Sequence, residues 1–125
     1  MSTFLLIAFF GACGAASRYW VNEVISDRIK TSFPLGTFLV NVSGCLLAGV
    51  IAGLSLVLSG FETLLFSALV GFTGSYTTFS TWMVQSIGQL EAKAWLKLFV
   101  NLLGSLALGI LAALGGLKLT VFIFS

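Results

Sequence analysis

Gly71-Phe72-Thr73-Gly74-Ser75-Tyr76-Thr77-Thr78-Phe79-Ser80-Thr81-Trp82 is the stretch on which the fold turns. It sits inside an uncharged run, residues 63–90, yet it crowds Gly71, Gly74, Ser75, Thr77, Thr78, Ser80 and Thr81 together. These are poor helix formers: glycine loses the most backbone entropy, and Ser and Thr compete for backbone groups. A helix that breaks at membrane depth frees amides and carbonyls that lipid cannot satisfy, so the break must face protein, water or an ion. Broken helices at the midplane are where transporters bind ions. The alternative is a continuous helix whose hydroxyls bond back to the preceding turn.

The surroundings of that stretch explain why membrane depth is the right frame. The chain has 125 residues, of which 58% are hydrophobic and 8% charged, with a mean hydropathy of +1.12. A soluble domain carries roughly 25% charge. Residues 1–17, 31–61, 63–90 and 98–117 carry no charge at all. Because a charge at bilayer depth costs a few kcal/mol, these runs delimit four expected spans, about 3–21, 36–58, 61–88 and 96–117. Each is near the roughly 20 residues that a hydrocarbon core about 30 Å thick demands. The expectation is one domain, residues 1–125: an all-α membrane protein of four transmembrane helices with a break in the third, multi-pass in the cell's inner or plasma membrane.

The titratable groups narrow the chemistry. There is no histidine, and the only acids, Glu23, Asp27, Glu62 and Glu91, fall in or beside expected loops. Proton relays, zinc chemistry and Ser/His hydrolysis all need side chains that are missing at depth, so the chain does not read as an enzyme. Cys13 and Cys45 lie in apolar runs among small residues, where packing is a better reading than a disulfide or a metal site. The first residues lack the basic start of a secretory signal, and Phe10-Gly11-Ala12-Cys13 is a poor lipoprotein box, so residues 1–22 are expected to belong to the mature fold.

The first loop is expected over Glu23 to Pro34, with Phe33-Pro34-Leu35-Gly36 turning into the second helix, and a tight turn is expected at Ser59-Gly60. Small residues recur at four-residue spacing: Gly11 with Ala15, Gly44 with Ala48, Gly49 with Gly53, and Ser105 with Gly109 and Ala113. In lipid such faces let helices approach closely, which is their expected role here.

The polar groups at depth are neutral donors and aromatic rings. Asn41 stands five residues into the second span and needs partners for its amide. Asn101 and Ser105, one helical turn apart, are expected on a common stripe. Phe79 and Trp82, at i and i+3, share a face beside Ser80 and Thr81, and Arg18 lies toward one end of the first span. Amide and hydroxyl hydrogens, the positive edges of aromatic rings and one nearby guanidinium suit an anion better than a cation. A small, strongly hydrated anion needs a dense donor set to replace its water. Taken singly, each residue is also explained by helix-to-helix hydrogen bonding or packing.

These residues resemble the Fluc/CrcB fluoride channel family over nearly the whole chain. Gly11-x-x-Gly14-Ala15-x-x-Arg18-Tyr19, Gly36-Thr37-x-x-x-Asn41-x-x-Gly44 and Gly71-x-x-Gly74-x-x-Thr77-Thr78-Phe79-Ser80-Thr81 follow its signatures in order and spacing. The third is the specific one. The resemblance implies an antiparallel, dual-topology dimer of four-helix subunits in the lipid bilayer, with fluoride pathways at the interface and a structural sodium ion at its centre. It implies that the backbone carbonyls of Gly74 and Thr77 hold sodium, that Phe79 turns its ring edge to fluoride beside a donor from Asn41, that Ser80, Thr81, Asn101 and Ser105 line the route, and that Arg18 sits near a vestibule. Trp82 stands where the family usually has a second Phe, Met83 where Ser is common and Gln85 where Glu is frequent. An indole keeps a positive edge and adds an N–H donor, so Trp82 can keep the ring's role.

Four spans put the first and third loops on one side with Arg28, Lys30, Lys93 and Lys97, against Lys118 on the side of the termini. The positive-inside rule then favours termini outside. A chain that inserts both ways should be more balanced, so a related subunit of opposite bias is a second possible partner beside a second copy. Two further readings remain at this stage. A small multidrug exporter has similar size, but such exporters depend on a carboxylate in the first span, and none precedes Glu23. A non-conducting or partly conducting subunit of a membrane assembly would use the small-residue faces alone.

Overall fold

The computed structural model describes residues 1–125. All its regular structure is helical: α1 (Ser2–Arg28), α2 (Leu35–Val57), α3 (residues 62–76), α4 (Phe79–Glu91) and α5 (Trp95–Phe124). The helices α1, α2 and α5 are each long and apolar enough to cross a membrane, and the chain is a multi-pass membrane protein. Burial is inverted relative to a soluble domain. The buried set includes Thr37, Ser67, Thr73, Thr78, Ser86, Gln89, Asn101 and Thr120, whereas Phe4, Leu56, Leu96 and Phe122 lie outside. Lipid is the solvent that makes such an arrangement favourable, because apolar side chains cost nothing there and polar ones must find partners within the protein.

The loop expected from Glu23 to Pro34 is shorter than that. Residues 22–28 contain no glycine or proline to stop the helix, so α1 runs through Arg28 and takes Glu23 and Asp27 with it. The Lys30 ammonium donates to the Ser26 carbonyl at 2.9 Å and covers one of the open carbonyls of the helix end. Helix α2 begins directly after Pro34, as expected. The turn at Ser59-Gly60 reverses through Gly60 at φ 88°, a left-handed conformation that glycine adopts without a Cβ penalty.

The most extensive helix pairing is α2 against α5. It depends on backbone contact: a Cβ on Gly49 would lie 2.0 Å from the Ala113 carbonyl oxygen, and one on Gly116 would lie 2.6 Å from the Leu46 carbonyl oxygen. Gly53 and Gly109 take part in the same seam against Thr120 and Cys45. Helix α1 meets α3 in the same way through Gly14 and Gly71, and Ser75 Oγ links the two by hydrogen bonding at 2.7 Å to the Gly11 carbonyl. Gly14 and Gly116 are additions to the expected four-residue pattern, visible only once the partner helix is known.

Helix α3 is not regular. Its middle, Ala68–Thr73, is a π turn, and a second π turn, Val100–Gly104, lies early in α5. Such turns widen the ladder from i+4 to i+5 and shift which side chains share a face. After Tyr76 the chain is extended at Thr77 and Thr78, and α4 starts at Phe79. The interrupted helix is therefore found where the sequence is least helical. Hydroxyls also bond back, from Thr77 Oγ1 to the Thr73 carbonyl and from Ser75 Oγ to the Gly71 carbonyl, so this behaviour accompanies the break without preventing it.

Candidate functional site

Thr77 at φ −76°, ψ 158° and Thr78 at φ −144°, ψ 122° carry the chain out of one helix and into the next. Asn41 of α2 braces the gap. Its Nδ2 donates to the Thr78 carbonyl at 2.9 Å, while the Thr78 N–H donates to its Oδ1 at 2.8 Å. Thr78 also caps α4, its Oγ1 accepting from the Thr81 N–H at 3.3 Å and donating to Thr81 Oγ1 at 3.1 Å. An N-cap threonine satisfies one of the open amides at a helix start, which is the local reason why α4 begins here.

These bonds redirect two amides and so release two carbonyls. The Thr78 N–H, the i+4 partner of the Gly74 carbonyl in a regular helix, goes to Asn41. The Thr81 N–H, the i+4 partner of the Thr77 carbonyl, goes to Thr78 Oγ1. The Thr77 carbonyl instead accepts from Arg18 Nη1 at 3.3 Å. Arg18 thus lies against the break, because a guanidinium at this depth takes an available carbonyl in preference to staying unpaired. Gly74 and Thr77 border a cavity of 270 Å³, and a Cβ on Gly74 would meet nothing within 4 Å. The donor set is two neutral backbone oxygens with open space beside one of them. This chemistry fits a hard cation, yet two oxygens are too few to hold one and leave room for ligands from a further chain.

On the other side of the break a cavity of 260 Å³ gathers Asn41, Thr77, Phe79, Trp82 and Ser105, with Cys45, Thr78 and Leu106 completing it. Phe79 is 71% exposed and meets Trp82 edge to face, centroids 5.5 Å apart at 63°. Ser105 Oγ is buried there with no partner in the chain. Asn41 has committed one amide hydrogen to Thr78 and retains the other.

Other expected site residues lie elsewhere. Asn101 and Ser105 meet different surroundings, Ser105 the 260 Å³ cavity and Asn101 a cluster with α4, while Asn101 Oδ1 and Ser105 Oγ are both buried without a partner in the chain. Asn101 is fully buried at 0% exposure and joins a closed ring: its Nδ2 donates to Ser86 Oγ at 3.0 Å, Ser86 Oγ donates to the Trp82 carbonyl at 2.8 Å, and Trp82 Nε1 donates to the Asn101 carbonyl at 3.1 Å. The indole N–H is therefore committed within the protein, which leaves the ring edge as what Trp82 offers the cavity. Thr81 opens on a separate loop-end cavity of 340 Å³ with Thr37, Lys30 and Gln85. Ser80 is exposed and lines no cavity. Two residues that organise the site were missed as such. Thr78 was signalled by its place just before a helix start, and Ser86 by its i+4 spacing from Trp82.

The family model described as CrcB-like protein, Camphor Resistance, matches residues 5–117. The chain belongs to the CrcB family. Among curated relatives, the fluoride-specific ion channel FluC of Maridesulfovibrio salexigens is 39% identical over the full length of both chains. Fluoride-specific ion channel FluC 2 of Rhodococcus jostii is 42% identical, covering 94% of this chain and 98% of the relative. That of Clostridium acetobutylicum is 38% identical, covering 86% and 89%. In this CrcB chain the break, its Asn41 brace and the Phe79–Trp82 pair form one continuous feature, so the polar run of the third segment is organised by the Asn41 side chain of α2 and the Asn101 carbonyl of α5 as well as by its own hydroxyls.

Proposed function

We propose that the chain is a subunit of a fluoride-selective passive ion channel that lets cytoplasmic fluoride leave down its electrochemical gradient and so confers fluoride resistance. The observation that carries this reading is the 260 Å³ cavity in which aromatic edges, the spare Asn41 hydrogen and the unpartnered Ser105 hydroxyl meet beside the helix break. Each group offers positive charge density without a full charge, which suits an ion that must shed its water and then move on. The relatives named as fluoride-specific channels support the same ion. Passive movement fits a sequence that has no histidine and keeps its acids near helix ends.

In this reading α3 and α4 together make a fourth crossing. Helices of their lengths, about 22 and 20 Å at 1.5 Å per residue, each fall short of a hydrocarbon core about 30 Å thick. The exposed Phe79 and the incomplete carbonyl pair of Gly74 and Thr77 both call for a second subunit. An antiparallel dimer would double the carbonyls and give sodium a structural site at the two-fold axis. A second copy is the first choice of partner, and a related subunit with the opposite charge bias is the alternative. A subunit of an assembly that conducts partly or not at all is the second functional reading, favoured by the Trp82 N–H being committed within the protein. The exporter reading has no carboxylate at depth in α1 to recommend it.

The test is electrode-recorded fluoride release from proteoliposomes containing the purified chain, with chloride release as the control. Fast fluoride release with chloride retained is expected. Vesicles as tight to fluoride as bare lipid, both for the chain alone and for the chain purified with a related subunit, would overturn the proposal.

A further inference from the structure

A cavity of 430 Å³ lies at the loop end, among loop 29–34, the end of α4 and the start of α5, and shares no lining residue with the cavity of Phe79. Its polar wall consists of Thr31, Ser32, Gln85, Gln89 and Lys97, and no carboxylate reaches it. Gln89 is only 8% exposed, yet neither its Nε2 nor its Oε1 has a partner in the chain, and Gln85 Oε1 is in the same state. Buried amides are rarely left so, since an unmade hydrogen bond costs the full desolvation of the group. The Lys97 ammonium donates to Ser32 Oγ and keeps further N–H groups free.

The sign of the ligand follows from these groups. Amides and hydroxyls take either sign, but Lys97 adds a full positive charge that no acid on the wall offsets. We propose that this cavity is a small-anion site, held by Lys97 Nζ and the N–H groups of Gln89 Nε2 and completed by the Ser32 hydroxyl, with a halide as its occupant. It shares no residue with the 260 Å³ cavity of Phe79 and does not depend on it, while Gln85 also lines the 340 Å³ cavity on which Thr81 opens.

Gly88 provides the probe position, because it lies on the cavity wall and a Cβ there would meet nothing within 4 Å. In a background with Cys13→Ala and Cys45→Ala, the Gly88→Cys protein, assembled in detergent, is reacted with an anionic and a cationic methanethiosulfonate, each scaled to its rate with a free thiol. The anionic reagent is expected to react faster by about threefold or more, as one unpaired charge at short range in partly wet surroundings implies. Lys97→Gln should bring the ratio near one and Lys97→Arg should restore it. A ratio at or below one, or one indifferent to Lys97→Gln, overturns the proposal. If Gly88→Cys fails to fold, Ala92→Cys on the same wall takes its place.

Protection then identifies the occupant. Slowing of the anionic reagent by fluoride and chloride alike, at constant ionic strength and lost in Gln89→Leu, supports a general halide site; slowing by fluoride alone supports a site for that ion. Slowing by neither overturns the proposal. The labelling needs no transport, so its failure leaves the channel reading intact, and vesicles tight to fluoride leave this site intact.

Discussion

Asn41 and Thr78 are joined at both ends of the Asn41 amide, Nδ2 to the Thr78 carbonyl at 2.9 Å and Oδ1 from the Thr78 N–H at 2.8 Å. One side chain thereby replaces the two ladder bonds that the interrupted helix gives up at that residue. Asn41→Leu keeps much of the volume and removes both bonds. It leaves the Thr78 N–H and carbonyl without their Asn41 partner, at up to about 1–3 kcal/mol each. The expected result is a clear fall in detergent melting temperature together with loss of fluoride release. An Asn41→Leu protein that melts and conducts like the parent would show that the break holds itself open.

Phe79 and Trp82 separate the ring edge from the N–H donor as anion contacts. Trp82→Phe preserves an edge and removes the bond from Nε1 to the Asn101 carbonyl. It should cost about 1 kcal/mol of stability and leave most fluoride release in place. Phe79→Leu preserves apolar volume and removes the aromatic edge, with a loss of up to about tenfold in release, given that an aromatic contact contributes about 0.5–1.5 kcal/mol. Fluoride efflux from vesicles measures both. Equal rates for Phe79→Leu and the parent would remove the ring edge from the mechanism.

Gly49 and Gly116 set the distance between α2 and α5. Alanine at either position pushes a methyl into a backbone oxygen of the facing helix, at 2.0 Å for Gly49 and 2.6 Å for Gly116, where no side chain can yield. Overpacking of this kind costs about 1–3 kcal/mol, and Gly49→Ala should be the worse of the two. Gly115→Ala is the control, since its Cβ would meet nothing within 4 Å. Thermal unfolding in detergent should rank the parent and Gly115→Ala above Gly116→Ala, with Gly49→Ala lowest.

Sodium, if it sits on the Gly74 and Thr77 carbonyls, competes with the guanidinium that Thr77 already holds at 3.3 Å. A ligand that binds only the folded assembly stabilises it in proportion to RT ln(1 + [L]/Kd). Exchanging sodium for a bulky organic cation should therefore lower the melting temperature of the assembled protein. Arg18→Gln should shift the sodium dependence to lower concentration by removing the competing charge. A melting temperature indifferent to sodium in both proteins would leave Arg18 as the only cation at this carbonyl.

How much of this was legible in the sequence depends on whether a partner helix had to be known. Uncharged runs locate α1, α2 and α5 because the bilayer penalises charge in a way any sequence reveals. The break at Thr77-Thr78 was legible because Gly71, Gly74 and the hydroxyls weaken the helix locally. What each donor does was not legible. Asn41 acts on a peptide 37 positions away, and Trp82 commits its N–H to Asn101 across another helix. The different surroundings of Asn101 and Ser105 are hidden too, since they depend on Ser86 and Trp82 of another helix. The helical end of α1 is hidden for a simpler reason: the charges of Glu23 and Asp27 suggest a loop, although charge excludes a residue from lipid and not from a helix.

Lys93 occupies the one non-glycine position with positive φ, 55°, just past Ala92, the residue that caps α4. Its N–H donates to the Leu90 carbonyl at 3.0 Å and the Ala94 N–H donates to the Gln89 carbonyl at 2.9 Å. This pair of bonds is the Schellman ending, in which the residue after the cap takes the left-handed conformation that glycine fills most readily. A lysine there bears the Cβ clash with its own carbonyl, about 1–2 kcal/mol in a left-handed helix, offset in part by its charge beside the open carbonyls of α4. Lys93→Gly should therefore raise the melting temperature slightly, and Lys93→Val should lower it, because β-branching worsens the same clash. Both changes leave the bonds to Leu90 and Gln89 available, so the order Gly above Lys above Val isolates the backbone conformation. The reverse order would mean that the lysine charge, and not the turn, governs how α4 ends.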